Sequence, residues 1–192
     1  MLRKGHLTTM LGLLDRFRNT RFGALRLLVL VTFGVLVGIF QFFGLGGLRI
    51  NTSPSLPVGL YHVTADNSAS LVEFCPAEPF AALALRRGYR DPGVCADGGA
   101  PLLKPVVAKA GDLVELSALG ISVNGFLLPN TQPLSKDTKG RVLKAWPFGL
   151  YQVAPGTIWV SSSYHARSFD SRYFGPIRTT VIRHRLKAFL TL

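Results

Sequence analysis

The pattern of apolar and polar residues divides the chain into one long uncharged segment and a region of short apolar runs. Residues 27–48 read LLVLVTFGVLVGIFQFFGLGGL, with no charged side chain and one strongly polar one, Gln41. About 20 apolar residues in a helix cross the hydrocarbon core of a bilayer, so this segment is predicted to be a transmembrane helix. A secretory signal would have a shorter apolar stretch and a small-residue cleavage site. A buried core helix is the alternative.

Beyond residue 50, short apolar runs separated by turn residues predict β-structure. LYHV (60–63), SLVEF (70–74) and the runs of residues 102–128, broken by AGD, LG and NG, indicate strands and hairpins. Residues 149–160 predict two strands around a Pro-Gly turn, and residues 179–192 predict a last strand, with a helix as the alternative. PFAALALRR (79–87) predicts one helix. The predicted fold is a mostly β, antiparallel domain with a small helical insertion.

The charge distribution predicts the orientation of the transmembrane helix in the membrane. Basic residues precede the apolar segment and are opposed by a single acid, Asp15; they are Arg3, Lys4, Arg16, Arg18, Arg21 and Arg26. Only Arg49 follows it before Arg86. The positive-inside bias therefore predicts a cytoplasmic basic arm (1–26), a transmembrane helix (27–48) and an exported domain (50–192).

The net charge of +12 raises the question of nucleic-acid binding. The basic arm is explained by topology and by anionic membrane lipid as a partner. A second basic group lies near the C-terminus, without the interleaved aromatic residues that stack bases: Arg178, Arg183, Arg185 and Lys187. No nucleic-acid partner is therefore expected, and a DNA-contacting transfer factor is kept only as an alternative.

Cys75 and Cys95 are the only cysteines, and both fall in the exported domain. An even number in an oxidising compartment predicts a disulfide, which would close a loop of about 20 residues and stabilise the fold by about 3 kcal/mol. Two free thiols are the alternative. Two cysteines alone make no metal site, and no metal-ligand or cofactor motif is found, so neither a metal nor a cofactor is predicted.

The segment NTSPSLPVGLY (51–61) places hydroxyls among two prolines and a glycine. Pro54 and Pro57 fix φ on either side of Ser55, so the backbone presents this hydroxyl rigidly. Ser53 could direct its own hydroxyl at the oxygen that becomes negative in acyl transfer. Taken alone, the segment is also typical of an ordinary turn.

A serine nucleophile needs a base. His62 or His165 could serve in a serine–histidine–aspartate site, but no spacing selects either; a neutral lysine is the other choice. Burial lowers the pKa of a lysine, and Lys104 lies in the apolar stretch PLLKPVV. Lys109 lies beside Asp112, whose charge favours the protonated form. Lys104 is therefore the better candidate, unless it is an edge-strand lysine that reaches solvent.

A third motif, taken together with these two segments, resembles the motifs of a known protein family. The order SPSLP (53–57), LLK (102–104) followed by AGD (110–112), and SFDSRYFGP (168–176) resembles the type I signal peptidases. The conjugal-transfer, TraF-type branch, which matures pilin precursors, is the most similar. The resemblance implies a signal-peptidase-like β domain in the periplasm, anchored to a bacterial inner membrane with its N-terminus in the cytoplasm.

The same resemblance implies a role for each matching residue. Ser55 would be the nucleophile and Lys104 the general base, while the Ser53 hydroxyl would join the Ser55 backbone N–H in an oxyanion hole. The remaining matches are Ser168, which would orient the lysine, and Asp170 and Arg172, which would form a structural ion pair.

One position departs from the general signal peptidases, which usually carry arginine after the lysine. Here the residue is Pro105, which removes a backbone donor and should lie at an edge or bulge of the sheet. The departure favours the conjugal branch over a housekeeping enzyme.

These observations predict a membrane-anchored serine endopeptidase that cleaves a signal peptide or pro-peptide from a membrane-tethered substrate, such as a conjugative pilin precursor. Ser55 lies six residues beyond Arg49, within about 20 Å of the membrane face even when fully extended. Other components of a conjugation apparatus are possible partners. The alternatives are a general signal peptidase I and a non-catalytic, single-pass component of a conjugation or secretion channel. Whether water or a substrate amine resolves the acyl-enzyme is left open.

Overall fold

A computed structural model describes residues 21–45 and 47–192, in two compact units that divide at Gly47 and Leu48. The first unit is the helix α1 (Arg21–Leu45). Its stretch Gly23–Gln41 is long and apolar enough to cross a membrane, and its side chains from Ala24 to Gln41 are exposed. A helix that is apolar on every side needs a lipid or a protein environment to cover it. This fits a single-pass anchor; residues 1–20 of the predicted cytoplasmic arm lie outside the described residues.

The second unit is built from eleven antiparallel strands and two helices within residues 48–192. The strands are β1 (Leu48–Asn51), β2 (Gly59–Thr64), β3 (Leu71–Phe74), β4 (Leu102–Lys109), β5 (Leu113–Ser117), β6 (Gly120–Val123), β7 (Phe126–Leu127), β8 (Gly149–Gln152), β9 (Thr157–Val160), β10 (Ile177–Arg178) and β11 (Ile182–Thr191). The helices are α2 (Phe80–Arg87) and α3 (Ser171–Phe174), and a 3₁₀ turn spans Thr179–Val181. The predicted mostly β, antiparallel fold is confirmed.

The larger sheet has the strand order β1-β2-β11-β3-β4-β9-β10. The C-terminal segment is the strand β11, which pairs with β2 on one side and β3 on the other, so the predicted last strand is confirmed and its helical alternative is wrong. Strands β1 and β2 pair from Leu48 opposite His62 to Asn51 opposite Gly59, which makes residues 52–58 the loop between them. Strand β1 itself was not predicted.

Strand β4 lies inside this sheet and changes partner along its length. Residues 102–105 pair with β3, and residues 106–109 pair with β9, with a register shift between Val106 and Ala108. Pro105 was expected at an edge or a bulge. It lies in an internal strand rather than at an edge, directly before the bulge-like register shift, where the ladder passes from β3 to β9. A residue without an N–H interrupts the hydrogen bonding least at such a transfer.

The smaller sheet has the order β7-β6-β5-β8. Asn124 and Gly125 turn the chain from β6 to β7 with φ of 51° and 86°, as a two-residue hairpin requires. Buried Val114, Leu116 and Ile121 pack with Trp159 of β9, and this cluster joins the two sheets.

The predicted helical insertion is confirmed as α2, which follows Pro79 and ends at Gly88 in the left-handed conformation. Its buried residues are Ala81 and Ala84, and Ala84 packs with Phe74, Val160 and Tyr173 in the largest core cluster. Cys75 and Cys95 form a disulfide across this excursion, with their Cα atoms 5.8 Å apart. The predicted pairing of the two cysteines is therefore confirmed.

Candidate active site

The loop of residues 52–58 is held in place by the side chain of Asn51, the last residue of β1. Its buried amide nitrogen donates to the carbonyls of Ser53, Leu56 and Pro57 at 2.9, 3.2 and 3.1 Å, and its amide oxygen accepts from the Ser53 N–H at 3.2 Å. Leu56 is buried against Tyr61 and Leu186. The loop is therefore fixed at both ends, which the prolines alone would not achieve.

Ser55 is 5% exposed, and its hydroxyl lies beside that of Ser53. The two Oγ atoms are 2.9 Å apart, and the Ser55 N–H donates to the Ser53 Oγ at 3.4 Å. The backbone donor of Ser55 and the hydroxyl of Ser53 thus lie next to each other. Two neighbouring donors suit an oxygen that gains negative charge once their contact with each other is broken.

Ser162 follows β9 and anchors the backbone of Ser55. Its Oγ donates to the Ser55 carbonyl at 2.5 Å, and its own N–H donates to Asp170 Oδ2 at 3.1 Å. The sequence did not predict that Ser162 or Asn51 belongs to the site. The only signal was the run of three serines at the end of the predicted strand TIWV, which gives no reason to choose the middle one.

Lys104 lies on β4 opposite Val72 and is 5% exposed. Burial lowers the pKa of its ammonium from 10.5 to about 8, against the charge of Asp170, which raises it; the charge of Arg172 lowers it further. The interior position of β4 produces this burial. Lys109, at the far end of the same strand, is exposed, and its N–H donates to Asp112.

Ser53, Ser55, Lys104 and Ser168 line one cavity of about 200 Å³. The buried Ser168 Oγ has no hydrogen-bond partner in the part of the chain that the structure describes. A buried hydroxyl without a partner is uncommon, and a group in this cavity would satisfy it. The Ser55 hydroxyl is hydrogen-bonded to Ser53, and among residues 47–192 no hydrogen bond joins it to Lys104. Catalytic hydrogen bonds often form only when the substrate is present.

Asp170 and Arg172 form a fully buried, bidentate ion pair, with Nε–Oδ1 and Nη2–Oδ2 distances of 2.8 and 2.9 Å. Burial alone would lower the pKa of Arg172, but the hydrogen bonds and charge of Asp170 raise it. Arg172 also donates to the carbonyls of Ala166 and Ser168, at 2.8 Å each. Because Asp170 also accepts from Ser162, the pair fixes both the segment that carries Ser168 and the contact to Ser55.

Within residues 47–192 the histidines do not assemble a serine–histidine–aspartate site. His165 lines the cavity, but its Nδ1 accepts the N–H of Arg167. The ring of His62 packs edge-on against Phe189. Among the described residues, the one hydrogen bond between a histidine and a carboxylate joins His184 to Glu73. Within the same residues no group of three or more His, Cys, Asp or Glu side chains could hold a metal ion.

Comparison with known proteins matches residues 21–190 to the signal peptidase family, peptidase S26. A plasmid transfer protein TraF of Escherichia coli is 35% identical over 148 residues, covering 76% of this chain and 83% of that protein. A conjugal transfer protein TraF of Agrobacterium fabrum is 39% identical over 138 residues, covering 69% and 76%. A solved signal peptidase I of Enterococcus faecalis V583 shows a TM-score of 0.35 at 16% identity, over 65% of this chain and 99% of that one.

Proposed function

Because this chain belongs to the peptidase S26 signal peptidase family, with TraF conjugal transfer proteins as relatives, we propose that it is a membrane-anchored serine endopeptidase. Ser55 is the proposed nucleophile and Lys104 the proposed general base. One observation carries the assignment: a buried lysine with a lowered pKa lines the same cavity, of about 200 Å³, as a serine on a fixed loop.

The first step is a proton transfer. Neutral Lys104 accepts the Ser55 hydroxyl proton while Oγ attacks the carbonyl carbon of the scissile bond. Ser168, whose hydroxyl is otherwise unpaired, orients the lysine amine. Substrate displaces the contact between the Ser53 and Ser55 hydroxyls, so that Ser55 Oγ turns towards Lys104.

The negative charge of the tetrahedral intermediate falls on the former carbonyl oxygen. The Ser55 N–H and the Ser53 hydroxyl donate to this oxygen once the substrate has displaced their contact with each other. One such donor typically contributes a factor of about 10²–10³ to the rate. Asn51 and Ser162 hold the backbone of the loop still, so only the hydroxyl groups turn during the reaction.

Collapse of the intermediate breaks the carbon–nitrogen bond, and protonated Lys104 donates its proton to the leaving amine. The resulting acyl-enzyme is an ester between Ser55 and the substrate. Lys104, neutral again, then takes a proton from water, which attacks the ester. The bond to Ser55 Oγ breaks, Lys104 returns the proton to Ser55 Oγ, and the acid product leaves. A substrate amine in place of water would give a circular product by the same steps, and mass spectrometry separates the two products by the mass of one water.

The proposed substrate is a pro-pilin or another membrane-tethered precursor of a conjugation apparatus, cut after small side chains as in the family. The names of the TraF relatives support this setting. The proposed topology is a single pass through a bacterial inner membrane, with residues 1–26 cytoplasmic and 50–192 periplasmic. The disulfide between Cys75 and Cys95 supports an oxidising compartment for this domain.

The test is cleavage of candidate pilin precursors by membranes that carry the full chain. We expect Ser55→Ala and Lys104→Ala to lower cleavage by at least about 1,000-fold, as loss of a nucleophile or base does in serine proteases. The matched control is Lys109→Ala, which removes an exposed lysine from the same strand and should cleave normally. Cleavage by a folded Ser55→Ala protein would refute the mechanism.

A general signal peptidase I makes a different prediction in the same system. Such an enzyme would process many exported precursors and would rescue a strain depleted of its housekeeping signal peptidase. The proposed enzyme processes the pilin precursor and fails to rescue that strain.

A further inference from the structure

Cationic side chains line the mouth of the active-site cavity. Lys136 and Arg167 lie on its wall together with Ser55 and Lys104, and both are exposed. Within residues 47–192 neither cation forms an ion pair with an acidic side chain. The proposed mechanism uses neither residue.

The cavity contains one carboxylate, Asp137, and its hydrogen-bonding capacity is already used. It accepts from the Tyr89 hydroxyl and from Arg141 Nε, at 2.6 Å each, and from the backbone N–H groups of Lys139 and Arg141. Burial would raise the pKa of Asp137, but these bonds outweigh it and hold the pKa well below its usual range. The negative charge of Asp137 is therefore neutralised by Arg141, and Asp137 does not neutralise the positive charges of Lys136 and Arg167.

Fixed backbone presents both cations. Lys136 stands in a small hairpin, in which it pairs with Val142 and the Leu143 N–H donates to the Ser135 carbonyl at 2.8 Å. This hairpin is tied to α3, because the Tyr173 hydroxyl accepts the Leu134 N–H at 3.1 Å.

Arg167 lies between two residues, Ala166 and Ser168, whose carbonyls are both bound by the buried Arg172. Its own N–H donates to His165 Nδ1 at 3.2 Å. The positions of the two cations at the cavity are thus set by the same interactions that build the catalytic site.

We infer that Lys136 and Arg167 form a subsite for a carboxylate of the substrate peptide close to the bond that is cut. The inference rests on the proposed function for its ligand, a peptide. A carboxylate fits because it can take two parallel hydrogen bonds from a guanidinium and a charge from an ammonium. It can be an acidic side chain or the free C-terminus of the peptide. A lysine in place of the acidic residue, or an amidated C-terminus, would lose the attraction.

A lipid phosphate would also attract these cations, but the surroundings favour a peptide. Lys136 and Arg167 share their cavity with the nucleophile, and its apolar wall includes Leu102, Leu134 and Leu143. Apolar walls combined with a few placed charged groups are typical of clefts that bind a ligand in one orientation. Lipid binding is therefore an outcome of the test rather than the proposal.

The test measures peptide binding to the full-length Ser55→Ala protein in an uncharged detergent, so that affinity is read without cleavage. The probes are ten-residue alanine-rich peptides in which glutamate, glutamine or lysine is moved through every position, each made with a free or an amidated C-terminus. The protein variants are Lys136→Gln, Arg167→Gln and the double substitution. Lys139→Gln is the matched control, since Lys139 lies in the same hairpin but does not line the cavity.

We expect one glutamate position, or the free C-terminus, to bind more tightly than its uncharged counterpart at low salt. Each cation should contribute about two- to fivefold, because partly exposed ion pairs are modest. The preference should disappear in the double variant, persist in the Lys139→Gln control, and weaken as salt screens the charges. Comparing the glutamate series with the amidated series tells which source supplies the carboxylate.

Equal binding of the glutamate, glutamine and lysine peptides would overturn the inference, as would binding of none of them. A preference that survives in the double variant would overturn it as well. A third result would also overturn it: no peptide preference, together with binding to phosphatidylglycerol vesicles that the double variant loses. That result would assign the cations to lipid. A carboxylate preference in Ser55→Ala without cleavage by the wild type would support the subsite and refute the proposed peptidase. Cleavage by the wild type without the carboxylate preference would support the peptidase and refute the subsite.

Discussion

Replacing Lys104 with methionine separates the free-energy cost of burying the amine from its proposed role in cleavage. In the folded domain the pKa of Lys104 is about 8, against 10.5 for a lysine in water. In the unfolded chain the amine returns to water. At neutral pH the folded protein therefore holds a buried ammonium, at a cost of about 3 kcal/mol relative to the neutral amine.

The sign of the pH dependence follows from proton binding. Between pH 8 and 10.5 the unfolded chain holds a proton on Lys104 that the folded chain has lost, so stability rises with pH in this window. Below pH 8 both states are protonated and the full cost is present. Methionine fills a similar volume without a charge, so its stability curve lacks this rise.

The measurement is urea unfolding of the full chain in detergent at pH 7 and pH 9.5, wild type against Lys104→Met. We expect the free-energy difference, variant minus wild type, to be about 2 kcal/mol larger at pH 7 than at pH 9.5, and cleavage to be lost at both. The two cysteines of the sequence are both in the disulfide, so no free thiol interferes at high pH.

Comparison across pH cancels the packing difference between the two side chains, because that difference does not titrate. Wild-type and variant curves that run parallel from pH 7 to 9.5 would show that Lys104 titrates as a lysine in water. The proposed base would then be almost wholly protonated at neutral pH, and the mechanism would be refuted.

Three further predictions concern the site and its support. Cleavage by the wild type should rise about tenfold per pH unit below pH 8 and level off above it, because the proposed base, Lys104, can accept a proton only when it is neutral. A rate independent of pH between 6 and 8 would contradict this. Ser162→Ala should lower kcat about tenfold with little change in KM, because the carbonyl of Ser55, the proposed nucleophile, loses its hydrogen-bond donor. The neighbouring Ser163→Ala should leave kcat unchanged, and steady-state kinetics on the precursor measures both. Replacing Cys75 and Cys95 with serine should lower the free energy of unfolding by about 3 kcal/mol, read from urea curves with and without reductant, and an unchanged midpoint would show that the disulfide contributes nothing.

The buried ion pair explains why so small a domain can hold a charged site together. Asp170 and Arg172 are both fully buried, and removing one partner of such a pair leaves an uncompensated charge. Their hydrogen bonds fix the backbone of Ser162, which contacts the Ser55 carbonyl, and of Ser168, which lines the cavity. The pair therefore has a positioning value beyond its own charge interaction.

Local signals in the amino-acid sequence were enough to predict several elements. Residues close to one another encode the apolar run within α1, the apolar runs of β2 to β4, the Asn124-Gly125 turn and the α2 segment. Each cysteine has only the other as a partner for an internal disulfide. The serine and lysine candidates followed from chemistry and from a family motif, and their roles stay predictions.

The burial of each candidate residue and the contacts that support it depend on how distant segments pack. Lys104 is buried because β4 lies between β3 and β9, and nothing in the stretch PLLKPVV specifies that strand order. Ser162 reaches Ser55 across 107 residues of sequence, and Asn51 belongs to a strand that the apolar pattern did not reveal. Periodicity reports the neighbours of a residue along the chain, whereas burial and the pKa of an amine depend on segments that meet only after the sheet has closed over them.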